Sequence, residues 1–328
     1  MKEVNACYYV KGRSLECKTL LAMSHRSGLQ MDDYEELHIS AKEYLKEAFR
    51  MIRDKVLKTR GIGKVRAIVA FGSSARPEDF VIGSSDIDIL VLTDRKSNKR
   101  QYFKFRDSRV DVTYASVEEV KKAFELGHPF AFILHDDNVI LRDDGTFSSL
   151  MKIRPKVTGH TLRVLRNSVF VALGLAIESY FHEDYERAVS HAYHAIRHFA
   201  RYNAIKKNRE AGRFPISNEE VSKTLIGETS DLFIKLLKKR GKAVAKEECK
   251  EMLERTIRAI ASGLDLKHPT LSFVEENLQG EVSLILTREV GDSMVIIVEA
   301  ITEEGIKRLE IRESYVKEIK NLSKYEKI

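Results

Sequence analysis

The sequence predicts an α+β protein: a mixed sheet with flanking helices, then a helical bundle, then a small β-meander with a terminal helix. Short β-branched runs separated by loops containing glycine and serine fill the first part of the chain. Helical periodicity without glycine punctuation follows up to residue 264, and three further strand-like runs come after Pro269. These changes in pattern divide the chain into residues 1–146, 147–267 and 268–328.

Each predicted element rests on its periodicity. Apolar positions at helical spacing predict a helix from Met31 to about Lys58, and the continuous run VRAIVAF at 65–71 predicts a buried strand. The other elements of the first part are strands at 86–93, 109–116 and 138–143 and a helix at 117–126. The later elements are helices near 147–182, 184–207, 217–239 and 243–264, the strands EVSLILTRE, SMVIIVEA and KRLEIRES, and a final helix, VKEIKNLSKY.

Composition excludes several classes of protein. The chain has 328 residues, of which 43% are hydrophobic and 32% charged, as in a soluble protein of two domains with an appendage. There is no run of 18 apolar residues and no apolar N-terminal stretch, so we expect a cytoplasmic protein without membrane contact. Its three cysteines lack CxxC spacing, which argues against a zinc or disulfide framework. The net charge of +7 suits a polyanionic partner such as a nucleoside triphosphate or RNA.

Acidic residues in two predicted strands are the strongest functional signal. Asp86 and Asp88 are two residues apart, so they point to one face of their strand, and Asp111 lies within the next strand. Adjacent carboxylates repel each other unless a cation neutralises them, and Mg²⁺ prefers oxygen ligands. Three such acids around two metal ions are typical of phosphoryl or nucleotidyl transfer. The simpler alternative is that Asp86 and Asp88 only cap a turn.

A loop directly after the first strand adds candidates for phosphate binding. Gly72 allows close approach of the backbone, and Ser73 offers a hydroxyl and an amide donor. Arg76 could clamp a phosphate oxygen, and Ser85 directly precedes the acidic pair.

This pattern resembles the nucleotidyltransferase superfamily with the DNA polymerase β-like fold. The family's GS, DxD and later acid stand here as Gly72-Ser73, Asp86-Ile87-Asp88 and Asp111, within about residues 64–115. The sequence looks most like the minimal nucleotidyltransferases of prokaryotes, and is similar to aminoglycoside nucleotidyltransferases and archaeal CCA-adding enzymes. The resemblance implies that Asp86 and Asp88 bind both metal ions and that Asp111 completes one site near the attacking hydroxyl. It also implies that Gly72 and Ser73 hold the triphosphate.

The predicted helix at 184–207 carries a stripe of basic and aromatic side chains. At 100° per residue the stripe comprises Arg187, His191, His194, His198 and Tyr202. It could be a polar seam paired with a neighbouring helix, a catalytic or phosphate-binding surface, or a metal site. Our preferred prediction is that Arg187 and His194 bind nucleotide from across an interdomain cleft.

A helical domain in this position resembles the HEPN family, over roughly residues 150–265. Ribonucleases of that family carry an arginine separated from a histidine by four to six intervening residues, and six residues separate Arg187 from His194. Their toxin variant also has a tyrosine two residues after the histidine. Tyr193 follows His191 in that way, but the arginine then stands one residue too close. We therefore expect a nucleotide-binding wall in preference to a ribonuclease.

Together these features predict a Mg²⁺-dependent nucleotidyltransferase of the EC 2.7.7 type. Two ions are expected, with Mn²⁺ as a substitute, and an NMP, first of all AMP from ATP, moves to a hydroxyl while pyrophosphate leaves. The acceptor remains open among protein, RNA and small molecules, and a homo-oligomer is also open. A HEPN-type ribonuclease controlled by the fused nucleotidyltransferase domain is the alternative function, and a non-catalytic binding module is the third.

Overall fold

A computed structural model describes the backbone of residues 9–10, 13–14, 31–83, 85–96, 100–207 and 214–320, with side chains from Ala41 onward. Two short antiparallel strands, β1 (Tyr9–Val10) and β2 (Arg13–Ser14), come first. Two larger sheets and ten helices account for most of the rest of the described chain.

The first large sheet has five strands in the order β5-β6-β4-β3-β7. The strands are β3 (Val65–Phe71), β4 (Ile87–Thr93), β5 (Arg100–Phe105), β6 (Ser108–Ser116) and β7 (Asn138–Asp143). Only β4 and β6 pair in parallel, so the predicted mixed sheet is confirmed. Edge strand β5 was not predicted, because six residues of alternating polar and aromatic character give a weak signal beside longer β-branched runs.

Helices cover both faces of this sheet. Helix α1 (Met31–Leu57) packs on one face through residues such as Ala48 and Ile52. Three shorter helices cover part of the other: α2 (Val117–Glu125), α3 (Pro129–Asp136) and α4 (Thr146–Leu150). A capping box between Ser116 and Glu119 fixes the start of α2 directly at the end of β6.

Helices follow in the second part, but two of the predicted ones are interrupted. They are α5 (Gly159–Phe181), α6 (Tyr185–Lys207), α7 (Asn218–Thr224), α8 (Gly227–Lys239) and α9 (Lys246–Gly263). The single helix predicted at 147–182 is wrong, because the chain leaves helical geometry around Pro155 before a capping box at Thr158 starts α5. The helix predicted at 217–239 is broken where Leu225 and Ile226 are extended.

The third part begins with α10 (Leu271–Asn277) and forms an antiparallel sheet in the order β11-β10-β9-β8. Its strands are β8 (Glu281–Val290), β9 (Ser293–Thr302), β10 (Gly305–Arg312) and β11 (Tyr315–Glu318). The predicted terminal helix is wrong at its start, because Tyr315 to Glu318 pair with β10. The rest of that prediction, from residue 321, lies outside the described residues.

This sheet packs directly on α5. A Cβ added to Gly174 would lie 3.1 Å from the Ile285 carbonyl oxygen, so helix and strand backbones approach closely. Thr287 donates a hydrogen bond to the Phe170 carbonyl at 2.6 Å. One hydrophobic cluster runs from the helices into β8, β9 and β10, so the boundary predicted at 267 separates segments that share a core.

Helix α5 is long and apolar enough to cross a membrane by length and composition, with a mean hydropathy of 1.3 over its apolar window. Half of that window is buried inside the protein. Burial of Leu173, Ala176 and Ile177 against other helices is the pattern of a core helix, so α5 is weak evidence for a membrane span.

Candidate active site

Strand pairing brings the predicted acidic residues together. Asp88 is the register partner of Asp111 in the parallel pair β4–β6, and of Phe71 in the antiparallel pair β3–β4. Asp86 directly precedes β4, and Gly72 directly follows β3. The two acidic strands and the glycine loop therefore meet at one end of the sheet.

Alternation along the strands decides which face carries the acids. Val110 and Val112 are completely buried against the α1 side, so Asp111 between them faces the other way. Ile87 and Ile89 constrain Asp88 in the same manner. The acids therefore lie on the sheet face opposite α1.

The glycine loop packs closely on the acids. Gly72 has a φ of +69°, and a Cβ at this position would lie 3.3 Å from Asp88 Oδ2. A side chain here would therefore be strained by the backbone conformation and would crowd the carboxylate. The Ser74 hydroxyl donates to the Phe71 carbonyl at 2.8 Å, which holds the loop against the end of β3.

Burial and mutual repulsion dominate the electrostatics. Burial, followed by the negative charges of Asp86 and Asp111, raises the pKa of Asp88 to about 7. Burial also raises the pKa of Asp86, while the positive charges of Arg109 and Arg240 oppose that rise. Asp111 Oδ1 is buried and has no hydrogen-bond partner among the described residues.

These features fit a divalent cation bound together with a substrate. The described residues contain no group of three His, Cys, Asp or Glu side chains already arranged to hold a metal ion. Mg²⁺, however, is usually bound by one or two carboxylates together with substrate phosphates. Asp111 Oδ1 has no hydrogen-bond partner among the described residues, and the pKa of Asp88 is raised, so the nearby charge of Arg109 only partly offsets the negative charge of these carboxylates.

The helical bundle places cations beside the acids. Arg240, directly after α8, has its guanidinium 4.4 Å from the centre of the Tyr193 ring, and its charge acts on Asp86. Its Nε is buried without a hydrogen-bond partner among the described residues. Burial, then the charge of Arg240, lowers the pKa of His194 well below its ordinary value, so His194 is neutral near pH 7. We call Arg240, Arg197 and His194 the cationic cluster, which faces the acids from the helical bundle.

Two predicted phosphate ligands are engaged elsewhere. Arg76 is buried and pairs with both Asp79 and Asp137, the Asp79 contact being 2.8 Å from Nε to Oδ2. The Ser85 hydroxyl accepts a hydrogen bond from the Val81 amide at 3.0 Å, which closes the loop before the acids. Both side chains hold protein structure here, in contrast to their predicted contacts with nucleotide.

The stripe on α6 does not face a single cleft. Arg187 is exposed and pairs with Asp184 at 3.4 Å, and its charge is not among those that act on Asp86. His194 lies in the cationic cluster beside Arg240, and Tyr202 accepts a hydrogen bond from Arg166. The stripe is therefore divided among several neighbours, and His194 is related to the acids through Arg240, whose charge acts on both His194 and Asp86.

Sequence reasoning missed Arg240, and also Tyr102 and Arg109 next to Asp111. Arg240 ends an amphipathic helix and carries no local motif, so only tertiary packing relates it to the acids. Arg109 was detectable, because it precedes Asp111 by two residues and must share its face.

One comparison with known proteins covers this site. Residues 50–133 match the family model of the nucleotidyltransferase domain, and this range contains the glycine loop and all three acids. A solved structure of a nucleotidyltransferase-like protein from Exiguobacterium sibiricum is similar at 13% identity, with a TM-score of 0.28. The match covers 78% of this chain and 99% of that chain. No curated protein matches the chain.

Proposed function

We propose that this protein is a Mg²⁺-dependent nucleotidyltransferase that moves an NMP, first of all AMP from ATP, to a hydroxyl acceptor and releases pyrophosphate. The observation that carries this proposal is the register pairing of Asp88 with Asp111, with Asp86 preceding β4 and Gly72 against Asp88. The family match over residues 50–133 supports nucleotidyl transfer in general, and the residue roles below are our inference.

Asp86, Asp88 and Asp111 would hold the metal ions. Bound there, Mg²⁺ would activate the attacking hydroxyl and stabilise the negative charge of the leaving pyrophosphate. Asp111 lies on the β6 side of the pair, beside the open edge strand β5. From this position its carboxylate can orient the acceptor hydroxyl and receive its proton as the oxygen attacks the α-phosphorus.

Phosphate binding is shared between the two domains in this proposal. The backbone at Gly72 and Ser73 would approach the triphosphate closely, because the turn is tight and glycine leaves its surface open. Arg240 and Arg197 would supply positive charge from the helical domain, since the Nε of each is buried and lacks a hydrogen-bond partner among the described residues. Neutral His194 would line the same wall.

The helical domain therefore serves this function as a nucleotide-binding wall, the role expected from its resemblance to HEPN domains. A ribonuclease centred on Arg187 and His194 receives less support. Arg187 is exposed and paired with Asp184, whereas His194 is turned inward beside Arg240. We retain a cytoplasmic location as part of the proposal.

Transfer of label tests the proposed function. The protein is incubated with each α-labelled NTP, Mg²⁺ and cell lysate, and label is then separated on protein, RNA and small molecules. We expect one fraction to be labelled, with loss of label in the presence of EDTA and in the Asp86→Ala/Asp88→Ala double variant. Full labelling by that double variant would end the assignment. Metal-independent RNA cleavage that requires Arg187 and His194 would favour the ribonuclease.

A further inference from the structure

Beside the acids, the open edge of the sheet carries a patch that nucleotide binding and metal binding leave unused. On β5, Arg100, Tyr102 and Lys104 alternate with inward-facing residues and are exposed. Tyr102 is 48% exposed, although large aromatic residues are usually mostly buried. We call Arg100, Tyr102, Lys104 and Arg109 the edge patch.

Register places the edge patch next to the reacting centre. Tyr102 is the partner of Asp111 in the antiparallel pair β5–β6, and Lys104 is the partner of Arg109. Directly opposed residues of such a pair have Cβ atoms about 5 Å apart and share one face. The aromatic ring therefore stands beside the carboxylate that the proposed mechanism assigns to the acceptor hydroxyl.

Within the described part of the chain, the cations of the edge patch form no close ion pair, although the charge of Arg109 acts on Asp86 and Asp88 and that of Asp111 acts on Arg100. Arg109 stacks on Tyr102, with its guanidinium 4.3 Å from the ring centre, and Arg100 hydrogen-bonds the same tyrosine. Among the described residues, neither these arginines nor Lys104 has a carboxylate within salt-bridge distance, whereas nearby Arg106 pairs with Glu47 at 2.8 Å. A row of cations that form no close ion pair, around an exposed ring, suits a ligand that carries both phosphates and flat bases.

We propose that the edge patch binds the 3′-hydroxyl end of a single-stranded nucleic acid, which is the acceptor of the proposed nucleotidyl transfer. This inference rests on the proposed function. The terminal base stacks on Tyr102, while Arg100, Lys104 and Arg109 contact backbone phosphates. The terminal hydroxyl oxygen then forms a bond to the α-phosphorus, the bond to the β-phosphate oxygen breaks, and pyrophosphate leaves. The hydroxyl proton passes to the Asp111 carboxylate.

Binding and extension of a fluorescent oligonucleotide test this proposal. RNA and DNA of one sequence, about 12 nucleotides long, are titrated with the full chain and read by anisotropy, then incubated with NTP and Mg²⁺. We expect extension of at least one of the two strands and none when its 3′ end is blocked. Tyr102→Ala raises the dissociation constant about tenfold, and Tyr102→Phe recovers most of the loss because the ring remains.

Salt dependence separates a phosphate contact from a structural effect. Lys104→Ala should reduce the slope of log Kd against log salt by about 0.7, as expected for one lost contact to a single strand. Lys42→Ala is the matched control, an exposed lysine on α1 beyond the opposite face of the sheet, and should leave that slope unchanged.

Thermal shift by NTP and Mg²⁺ is measured on every variant. If that shift persists while the wild type neither binds nor extends either oligonucleotide, the edge-patch proposal is overturned and the proposed function stands. Label recovered only on protein or on a small molecule overturns it as well. If the nucleotide shift is absent too, the proposed function itself fails.

Discussion

Asp88 and Asp111 face each other across the parallel pair β4–β6, on the sheet face opposite α1. Such close carboxylates, one of them with its pKa raised to about 7, are poorly stabilised without a counter-charge. The apo protein therefore retains a destabilising arrangement that a metal ion with a nucleotide would relieve. Arrangements of this kind are typical of functional sites.

Asp111→Asn should separate activity from stability. We expect nucleotidyl transfer to fall at least about a hundredfold, because a carboxylate proposed as metal ligand is lost. Thermal unfolding without metal should be unchanged or shift to a higher temperature, because one of the repelling charges is removed. Asp107→Asn, an exposed acid in the β5–β6 turn, is the control and should alter neither quantity. A large loss of apo stability in Asp111→Asn would show a structural role instead.

Nucleotide with Mg²⁺ should stabilise the protein. At about 100 times the dissociation constant the free energy of unfolding should rise by roughly 2.7 kcal/mol, and EDTA should cancel most of the gain. Differential scanning fluorimetry with each of the four NTPs measures the effect. The absence of any shift at millimolar concentrations would contradict a triphosphate site.

Arg240→Ala should raise the apparent KM for NTP about tenfold or more. The variant loses a guanidinium that we propose to bind phosphate and whose buried Nε has no hydrogen-bond partner among the described residues. Arg187→Ala is the matched comparison and should change KM less than about twofold, since its side chain is exposed and paired with Asp184. Steady-state kinetics with a labelled NTP measure both. The opposite order would place the phosphates along the exposed end of α6, as the sequence alone suggested.

Asp137→Asn should destabilise the protein without weakening nucleotide binding. It removes one of the two carboxylates paired with buried Arg76, and because the pair with Asp79 remains we expect a loss of about 1.5 kcal/mol, as for one hydrogen bond to a charged group. Urea unfolding measures this loss, and KM for NTP should remain within about twofold. A marked change in KM at unchanged stability would instead assign Arg76 to the phosphates.

His198 should make the protein sensitive to acid. Burial, then the charges of Arg201 and Arg197, lowers its pKa from 6.5 to about 3, so it stays neutral when folded and takes up a proton when unfolded. The stability that depends on a neutral His198 is fully present above pH 6.5 and is lost as the pH falls towards 3. The loss of free energy of unfolding is about 2 kcal/mol at pH 5. His198→Leu should lack this part of the loss in urea unfolding at pH 8 and pH 5. An equal loss in the variant would assign the sensitivity to other groups, such as His194.

Much of the site follows from local sequence. Strand periodicity alone requires Asp86 and Asp88 to share a face. Asp111 lies between the β-branched residues Val110 and Val112, and because both valines are buried Asp111 must point to the other face. The glycine loop after a buried strand is equally local. These features depend on spacing and hydrophobicity, which are written directly in the chain.

Tertiary structure decided the rest. The parallel pairing of β4 with β6 sets Asp88 opposite Asp111, and the unpredicted edge strand β5 sets Tyr102 beside it. Packing of the bundle brings Arg240 to the acids, while Arg76 becomes a buried partner of Asp137. No local pattern encodes these outcomes, because each depends on how segments far apart in the sequence pack against one another and exclude water from their contact.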